Sequence, residues 1–195
     1  HTRYISVTGV QTCALPISTI TMHLKDLAGI QPDPTMTESI LASAQTGGAD
    51  VYASIQGVSK VYCSGANGFF DDVYNLQWLI GALQVAGFNT LAQTGTKIPQ
   101  TENGMSLLKA AYRQVLEQAV TNQYAAPGTW TSTTTFGVQA DLYSNIAQRG
   151  YYIYSAPISQ QLAADRAARK APLVQIALKA AGAIHSSSVV VSVNA

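Results

Sequence analysis

Charged side chains are scarce in this sequence. Asp, Glu, Lys and Arg make up 11% of its 195 residues, against ~25% in an average soluble domain. Because the formal net charge is only +1, no strong field is available to attract nucleic acid or an anionic membrane. Ser, Thr, Gln, Asn, Ala and Gly replace the missing charge. Such a surface fits a protein that packs against copies of itself, and it also fits a secreted protein.

Long apolar runs and cysteine are also lacking. No run reaches the 18 apolar residues of a membrane-spanning helix, so none is predicted. Two cysteines, Cys13 and Cys63, are too few for a disulfide framework and have no metal-site spacing. With 47% hydrophobic residues, a chain of this length can bury a core without disulfides or metals.

Sequence motifs of catalysis are missing as well. The chain has no Gly-x-Ser-x-Gly elbow, no Walker loop and no Gly-x-Gly-x-x-Gly. Gly95-Thr96-Lys97 is similar to the end of a phosphate loop, but Thr90 stands where such a loop needs glycine. His185 lacks convergent metal ligands, and Asp71-Asp72 is typical of a helix start. We therefore expect no catalytic residue, no cofactor and no metal.

The first residues differ from the rest. Residues 7–17 resemble the translation of sequencing-adapter read-through in assembled metagenomic reading frames. Thr8, Gln11 and Thr12 interrupt the apolar run that a signal peptide requires, and a native first strand is the other interpretation. We expect residues 1–18 to be non-native, 19–49 to be the remnant of a preceding domain and 50–195 to form the main domain, with the native amino-terminal part missing.

Hydrophobic spacing and turn residues predict helices mixed with strands. One helix has an apolar stripe of Val73, Leu76, Ile80 and Leu83 and is expected to end at Gly87. The predicted class is α+β or mixed α/β: a mixed sheet flanked by helices, with a terminal β-hairpin or a donated strand. Strands are predicted at residues 19–24, 50–63 in two pieces around Gly57, 151–155, 173–179 and 184–194, and helices at 35–45, 71–86, 101–122 and 159–170.

Four charged residues cluster near the end of the chain: Asp165, Arg166, Arg169 and Lys170. Asp165 and Arg169 are four positions apart and can pair on one helix face. A solvated helix face is one interpretation, with a modest contribution from the pair. In a chain so poor in charge, a contact between subunits is the other, and the sequence leaves both open.

The last predicted strand is rich in valine and nearly uncharged, with Val189, Val191 and Val193 on one face. Left unpaired, it would be an aggregation hazard. Donation to the sheet edge of a neighbouring subunit would satisfy its backbone groups. Pairing within its own domain, after a turn at Gly182, is the alternative, because sequential strands usually pair locally.

An ordered series of short strings from about residue 50 to 195 resembles a phage protein family known as the DUF3383 family, whose members look like contractile-tail sheath proteins. No single string is specific, but the order of the whole series is. The strings are Ser64–Asp71 (SGANGFFD), Leu76–Leu79 (LQWL), Thr96–Thr101 (TKIPQT), Ala126–Trp130 (APGTW), Gly150–Tyr154 (GYYIY), Ala164–Pro172 (ADRAARKAP) and Ala181–Ser186 (AGAIHS).

The resemblance implies a structural role in a virion, and no enzyme. Sheath subunits stack as rings around a tail tube, and contraction of the sheath drives the tube into the host. Implied partners are further sheath subunits, the tube and the baseplate, with no nucleic acid and no membrane insertion; assembly would take place in the bacterial cytoplasm. The alternatives are another tail or baseplate protein and, less favoured, a small-molecule-binding or hydrolytic α/β domain.

Overall fold

The computed structural model of the protein describes residues 20–192. They form two compact units, a large unit of residues 75–181 and a small unit of residues 20–74 and 182–192. The helices are α1 (Glu38–Thr46), α2 (Phe70–Gln93), α3 (Glu102–Thr121), α4 (Gln139–Arg149) and α5 (Ala163–Ala167), with a 3₁₀ turn at Ile158–Gln160. The strands are β1 (Val51–Ile55), β2 (Val58–Tyr62), β3 (Tyr151–Ser155) and β4 (Val174–Leu178). Cys13 and Val193 stand outside residues 20–192, so the predictions for both lie outside the described residues.

The small unit is built on the hairpin β1–β2. Ile55 pairs with Val58, so Gln56 and Gly57 form a two-residue turn, and both have positive φ. Such a turn matches the twist of the flanking strands. Helix α1 packs against β1; Thr37 caps it by accepting the Ile40 amide at 3.4 Å. The predicted helix over 35–45 and the two-piece strand over 50–63 are thus present in the fold.

The large unit is built on the antiparallel pair β3–β4, with Tyr151 opposite Leu178 and Ser155 opposite Val174. One face of the pair carries Tyr151, Ile153 and the side chains opposite them, which pack with Leu79 of α2 and Leu116 of α3. The other face packs on α4 through a second cluster: Leu142, Ile146, Tyr152 and Ala177, with Trp130, Phe136 and Tyr154 around them. Helices therefore cover both faces of the pair.

The fold class of helices mixed with strands is confirmed, but the sheet differs from the prediction. Instead of one mixed sheet, the described residues form two separate two-stranded antiparallel sheets. Helix α2 does not end at Gly87 but continues to Gln93. A Cβ on Gly87 would stand 2.6 Å from the Tyr112 hydroxyl. Glycine at this position lets the Tyr112 side chain of α3 approach α2 closely, and it does not end the helix.

Two further predictions about local structure were wrong, and one helix was not predicted. Residues 20–24 form no strand: Leu24 and Lys25 hydrogen-bond to Val61 through the backbone, but Leu24 has φ +59°. Helix α4 was not predicted. The helix expected over 159–170 is a 3₁₀ turn followed by the five-residue α5.

Leucine 116 is the most informative core position for stability. Its side chain is 0% exposed, whereas Leu107 on the same helix is 53% exposed. We expect Leu116→Ala to lower the free energy of unfolding by about 2–5 kcal/mol, because the change leaves a cavity in the main core. Leu107→Ala should change it by less than about 1 kcal/mol. Urea denaturation of the two variants beside the wild type tests this, and equal midpoints would contradict the packing described.

Candidate assembly surface

Both faces of the β3–β4 pair are covered by helices. No other described strand pairs with either of its edges. An isolated bridge between Ala125 and Ala180 continues beyond β4. Since a two-stranded ribbon still offers backbone donors and acceptors at its edges, the pair can accept a further strand.

Tyr151 fixes β3 against α3. Its hydroxyl donates to the Glu117 carboxylate at 3.3 Å. Burial, and then the Glu117 charge, raise the pKa of Tyr151 above its ordinary value, so the phenol stays protonated and keeps donating. The interaction anchors the strand and offers no reactive oxygen.

The predicted charge cluster is present on the surface, but its pairing differs from the prediction. Lys170 binds the Asp165 carboxylate at 3.2 Å, and Arg169 does not. Helix α5 ends at Ala167, and Arg169 adopts φ +55°, so the helical spacing that would join Asp165 to Arg169 is lost. Arg166 and Arg169 are exposed and enter no ion pair among residues 20–192.

The turn after α5 is held by neutral hydrogen bonds. The Lys170 carbonyl accepts from the Gln161 amide at 2.8 Å and from the Gln100 amide at 3.2 Å. Nearby, Glu102 accepts the Ile158 amide at 2.7 Å. These bonds fix the backbone that presents Arg166, Arg169 and Lys170, so the cationic side chains project from an ordered turn.

The carboxyl-terminal segment, residues 182–192, contains neither helix nor strand. Its valines are open to solvent: Val189 is 81% exposed, Val190 91% and Val191 77%. Pairing within its own domain, one of the two predicted alternatives, is therefore not found over residues 184–192. The segment carries uncharged β-branched side chains that the described chain does not cover.

Helix α2 carries a surface that the sequence pattern did not identify. Its expected core stripe is mostly on the outside, since Val73, Leu76 and Ile80 are each about half exposed. Further along the helix, Phe88 and Leu91 are exposed as well. No charged residue occurs between Asp72 and Lys97. Helical periodicity found the apolar stripe, but it could not tell a core from a contact surface.

A groove of about 620 Å³ lies between α2 and α3. Small apolar, amide and hydroxyl side chains line it, without one acid, base or thiol: Ala82, Val85, Ala86, Asn89, Thr90, Gln93, Thr94, Ala111, Gln114, Val115 and Gln118. Side chains of this kind can bind by shape and hydrogen bonding but cannot transfer protons at neutral pH.

Residues 20–192 contain neither a three-ligand metal site nor a membrane-spanning helix. No group of three His, Cys, Asp or Glu residues is arranged to hold a metal ion. No helix over residues 20–192 is both long and apolar enough to cross a bilayer. The described cysteine, Cys63, is buried and unbridged; burial and the charges of Asp50 and Asp71 raise its pKa.

The small unit contains a ring cluster that sequence reasoning did not anticipate. His23 and His185 stack with ring centres 4.5 Å apart, and Phe69 meets His185 edge-on at 4.5 Å. Each histidine was individually visible in the sequence, but 161 intervening residues give no local signal of the contact. Within the small unit, the cluster joins the carboxyl-terminal segment to residues 20–74.

The described residues thus combine sheet edges without a further paired strand, an exposed valine segment and an exposed apolar helix face. Residues 70–193, well over half of the chain, match the family described as "E217 tail sheath protein gp31-like, C-terminal domain". The chain belongs to this family of phage tail sheath-like domains.

Solved structures share the fold. The chain is similar to a chain in "Cryo-EM structure of the anti-feeding prophage (AFP) baseplate, 6-fold symmetrised", with a TM-score of 0.57 and 13% sequence identity. The match covers 91% of this chain and 45% of that chain, so this chain spans less than half of its structural relative. No curated protein matches the sequence.

The left-handed backbone at Arg169 gives a test of the turn after α5. Since a non-glycine residue loses about 1–2 kcal/mol in this conformation, we expect Arg169→Gly to raise the free energy of unfolding by up to about 1 kcal/mol. Arg166→Gly removes the same charge but lies within α5, so it should lower stability by about 1 kcal/mol. Thermal denaturation of both variants measures the difference, and equal shifts would contradict the assigned turn.

Proposed function

We propose that this chain is part of the structural subunit of a bacteriophage contractile tail sheath. Subunits assemble into stacked rings around the tail tube, and contraction of the sheath drives the tube into the host. Family membership over residues 70–193 carries the proposal. The proposal includes membership in the DUF3383 family and partners in the tail tube and the baseplate. It also includes location in the virion and assembly in the bacterial cytoplasm.

Strand exchange is the proposed link between subunits. The β3–β4 pair has faces covered by helices and edges with which no other described strand pairs, which suits the addition of a strand. The carboxyl-terminal segment supplies the matching chemistry, because Val189 and Val191 are β-branched and exposed. Addition would satisfy backbone groups on the donor and acceptor together. Val193 continues the same alternation in sequence and is proposed as part of the donated strand.

Side-chain contacts then add to the strand link. The exposed apolar face of α2, with Leu76, Ile80 and Phe88, resembles surfaces that proteins cover by association. The ordered cluster of Asp165, Arg166, Arg169 and Lys170 is proposed as a polar subunit contact. Since the arginines have no ion-pair partner among residues 20–192, they can meet carboxylates of another subunit.

We also propose that the chain acts without catalysis and without a cofactor. The groove between α2 and α3 lacks acid–base side chains, and the buried thiol of Cys63 has a raised pKa. Residues 50–195 are proposed as the sheath-like domain, with 19–49 as a remnant of the preceding domain. Residues 1–18, proposed as non-native, lie outside the described residues.

A baseplate component is the second candidate. The similarity in fold to a chain of the AFP baseplate favours it. A sheath requires head-to-tail contacts that stay open along a helical axis, whereas a baseplate part needs a single closed ring. The form of the assembly therefore separates the two.

Negative-stain electron microscopy and sedimentation velocity of the purified chain test the strand link. We expect hollow striated tubes from the wild type and monomers after removal of residues 189–195, with unchanged circular dichroism. Val191→Pro keeps the chain length but cannot complete a strand ladder, so it should also abolish tubes. Closed rings would favour the baseplate candidate, and tubes from the truncated chain would rule out strand donation.

The charge cluster has its own test. Asp165→Ala combined with Arg169→Ala should weaken association about tenfold or more, as expected when charged contacts at an interface are lost. The matched control is Asp26→Ala with Lys60→Ala, which removes the other described salt bridge at 2.9 Å. Sedimentation across a concentration series compares them. If the two double variants associate equally, the cluster is a solvated surface.

A further inference from the structure

The carboxyl-terminal segment contacts the rest of the small unit, residues 20–74, at one point. From residue 182 to residue 192 every described residue is exposed except His185, which is half-buried. No backbone hydrogen bond to residues 182–192 occurs within the described chain. The contacts of the His185 ring therefore determine whether the base of the segment stays docked.

A directional chain of hydrogen bonds holds His185. The Thr21 hydroxyl donates to Asp71 Oδ1 at 3.3 Å, and Thr21 Oγ1 lies 3.1 Å from His185 Nε2. A hydroxyl has one proton, already directed to the carboxylate, so His185 must donate from Nε2. This bond is compatible with a neutral or a charged His185 ring.

His23, on which the His185 ring stacks, can dock only when it is neutral. Its Nδ1 accepts the backbone amide of Cys63 at 3.1 Å, so the proton of the neutral ring is on Nε2. Protonation of Nδ1 would turn this acceptor into a donor facing another donor. The amide of Cys63 would lose its partner, and a positive charge would stand against the stacked ring 4.5 Å away.

We propose that the stacked pair His23–His185 is a pH-sensitive latch that docks the base of the carboxyl-terminal segment at neutral pH and releases it on acidification. The proton is taken up at His23 Nδ1. The loss of the Cys63 hydrogen bond displaces the His23 ring, and the displaced ring removes the stacking surface of His185. Phe69, which meets His185 edge-on, cannot hold the segment alone.

The surrounding groups set the direction of the pH response. Burial of the ring and the nearby His185 lower the pKa of His23 below the ordinary value of 6.5, while the Asp50 charge opposes them. Asp71 faces the pair through Thr21, Tyr62 meets His23 edge-on, and the Cys63 thiol remains neutral because its pKa is raised. Docking is therefore complete above pH 6.5 and is lost as the pH falls below that value.

The biological consequence rests on the proposed function, because this segment is the proposed donated strand. Release of its base would lengthen the free arm and loosen the link between subunits. The latch itself can be measured on dispersed protein, so its failure and the failure of strand donation give separate results.

Nuclear magnetic resonance on the dispersed chain tests the latch. At pH 7.5 we expect an unprotonated His23 Nδ1, seen by ¹⁵N shifts, and cross-relaxation between the rings of Phe69 and His185. Titration to pH 4.5 should remove that cross-relaxation with a midpoint below 6.5, while amide signals of the large-unit core, such as Leu142, remain in place. Contacts that persist through the protonation of His23 would overturn the proposal.

The variant His23→Asn removes the imidazole ring but keeps a hydrogen-bond acceptor at position 23. The Asn amide oxygen can accept from the Cys63 amide as Nδ1 does but does not titrate. Because Asn has no ring on which His185 can stack, we expect the contacts between Phe69 and His185 to be absent in this variant already at pH 7.5. Contacts that persist in the variant at pH 7.5 would show that the His23 ring does not dock the segment and would contradict the latch.

Discussion

The antiparallel pairing of β3 with β4 is the interaction on which the large unit depends. Ten residues form the pair, and a two-stranded ribbon alone is marginal in water. Its stability comes from side chains: Tyr151 and Ile153 reach the core shared with α2 and α3, and Tyr152 reaches α4. Because helices take both faces, the backbone edges are what the pair can offer to another chain.

The small number of charged residues in the sequence is reflected in the surface of α2. A helix of an isolated domain normally turns its polar face to solvent, but α2 exposes Leu76, Ile80 and Phe88 along a stretch without charges. Neither nucleic acid nor a charged ligand suits that face. An uncharged protein surface does, and this agrees with membership in a family of tail sheath-like domains.

Local chemistry made part of the fold predictable. Thr37 and Thr101 cap α1 and α3 as their positions indicate, and the strands around 151–155 and 173–179 follow from alternation. Helix α4 was missed because only Leu142 and Ile146 mark its buried face in an otherwise polar segment. The helix end predicted at Gly87 was wrong because, in the sequence, a glycine at a close contact between two helices resembles a glycine that ends a helix. The stacked histidines depend on tertiary folding, which spacing along the chain cannot encode.

The carboxyl-terminal segment is held at its base and exposed along the rest of its length. Its base is docked through the His185 ring, whereas its valines are open to solvent. The seven residues from Ser186 to Ser192, fully extended, span about 23 Å at ~3.3 Å per residue. Several strand spacings of ~4.8 Å fit within that reach. A docked base therefore restricts where the tip can pair without preventing it from reaching a neighbouring sheet, and release of the base widens that range.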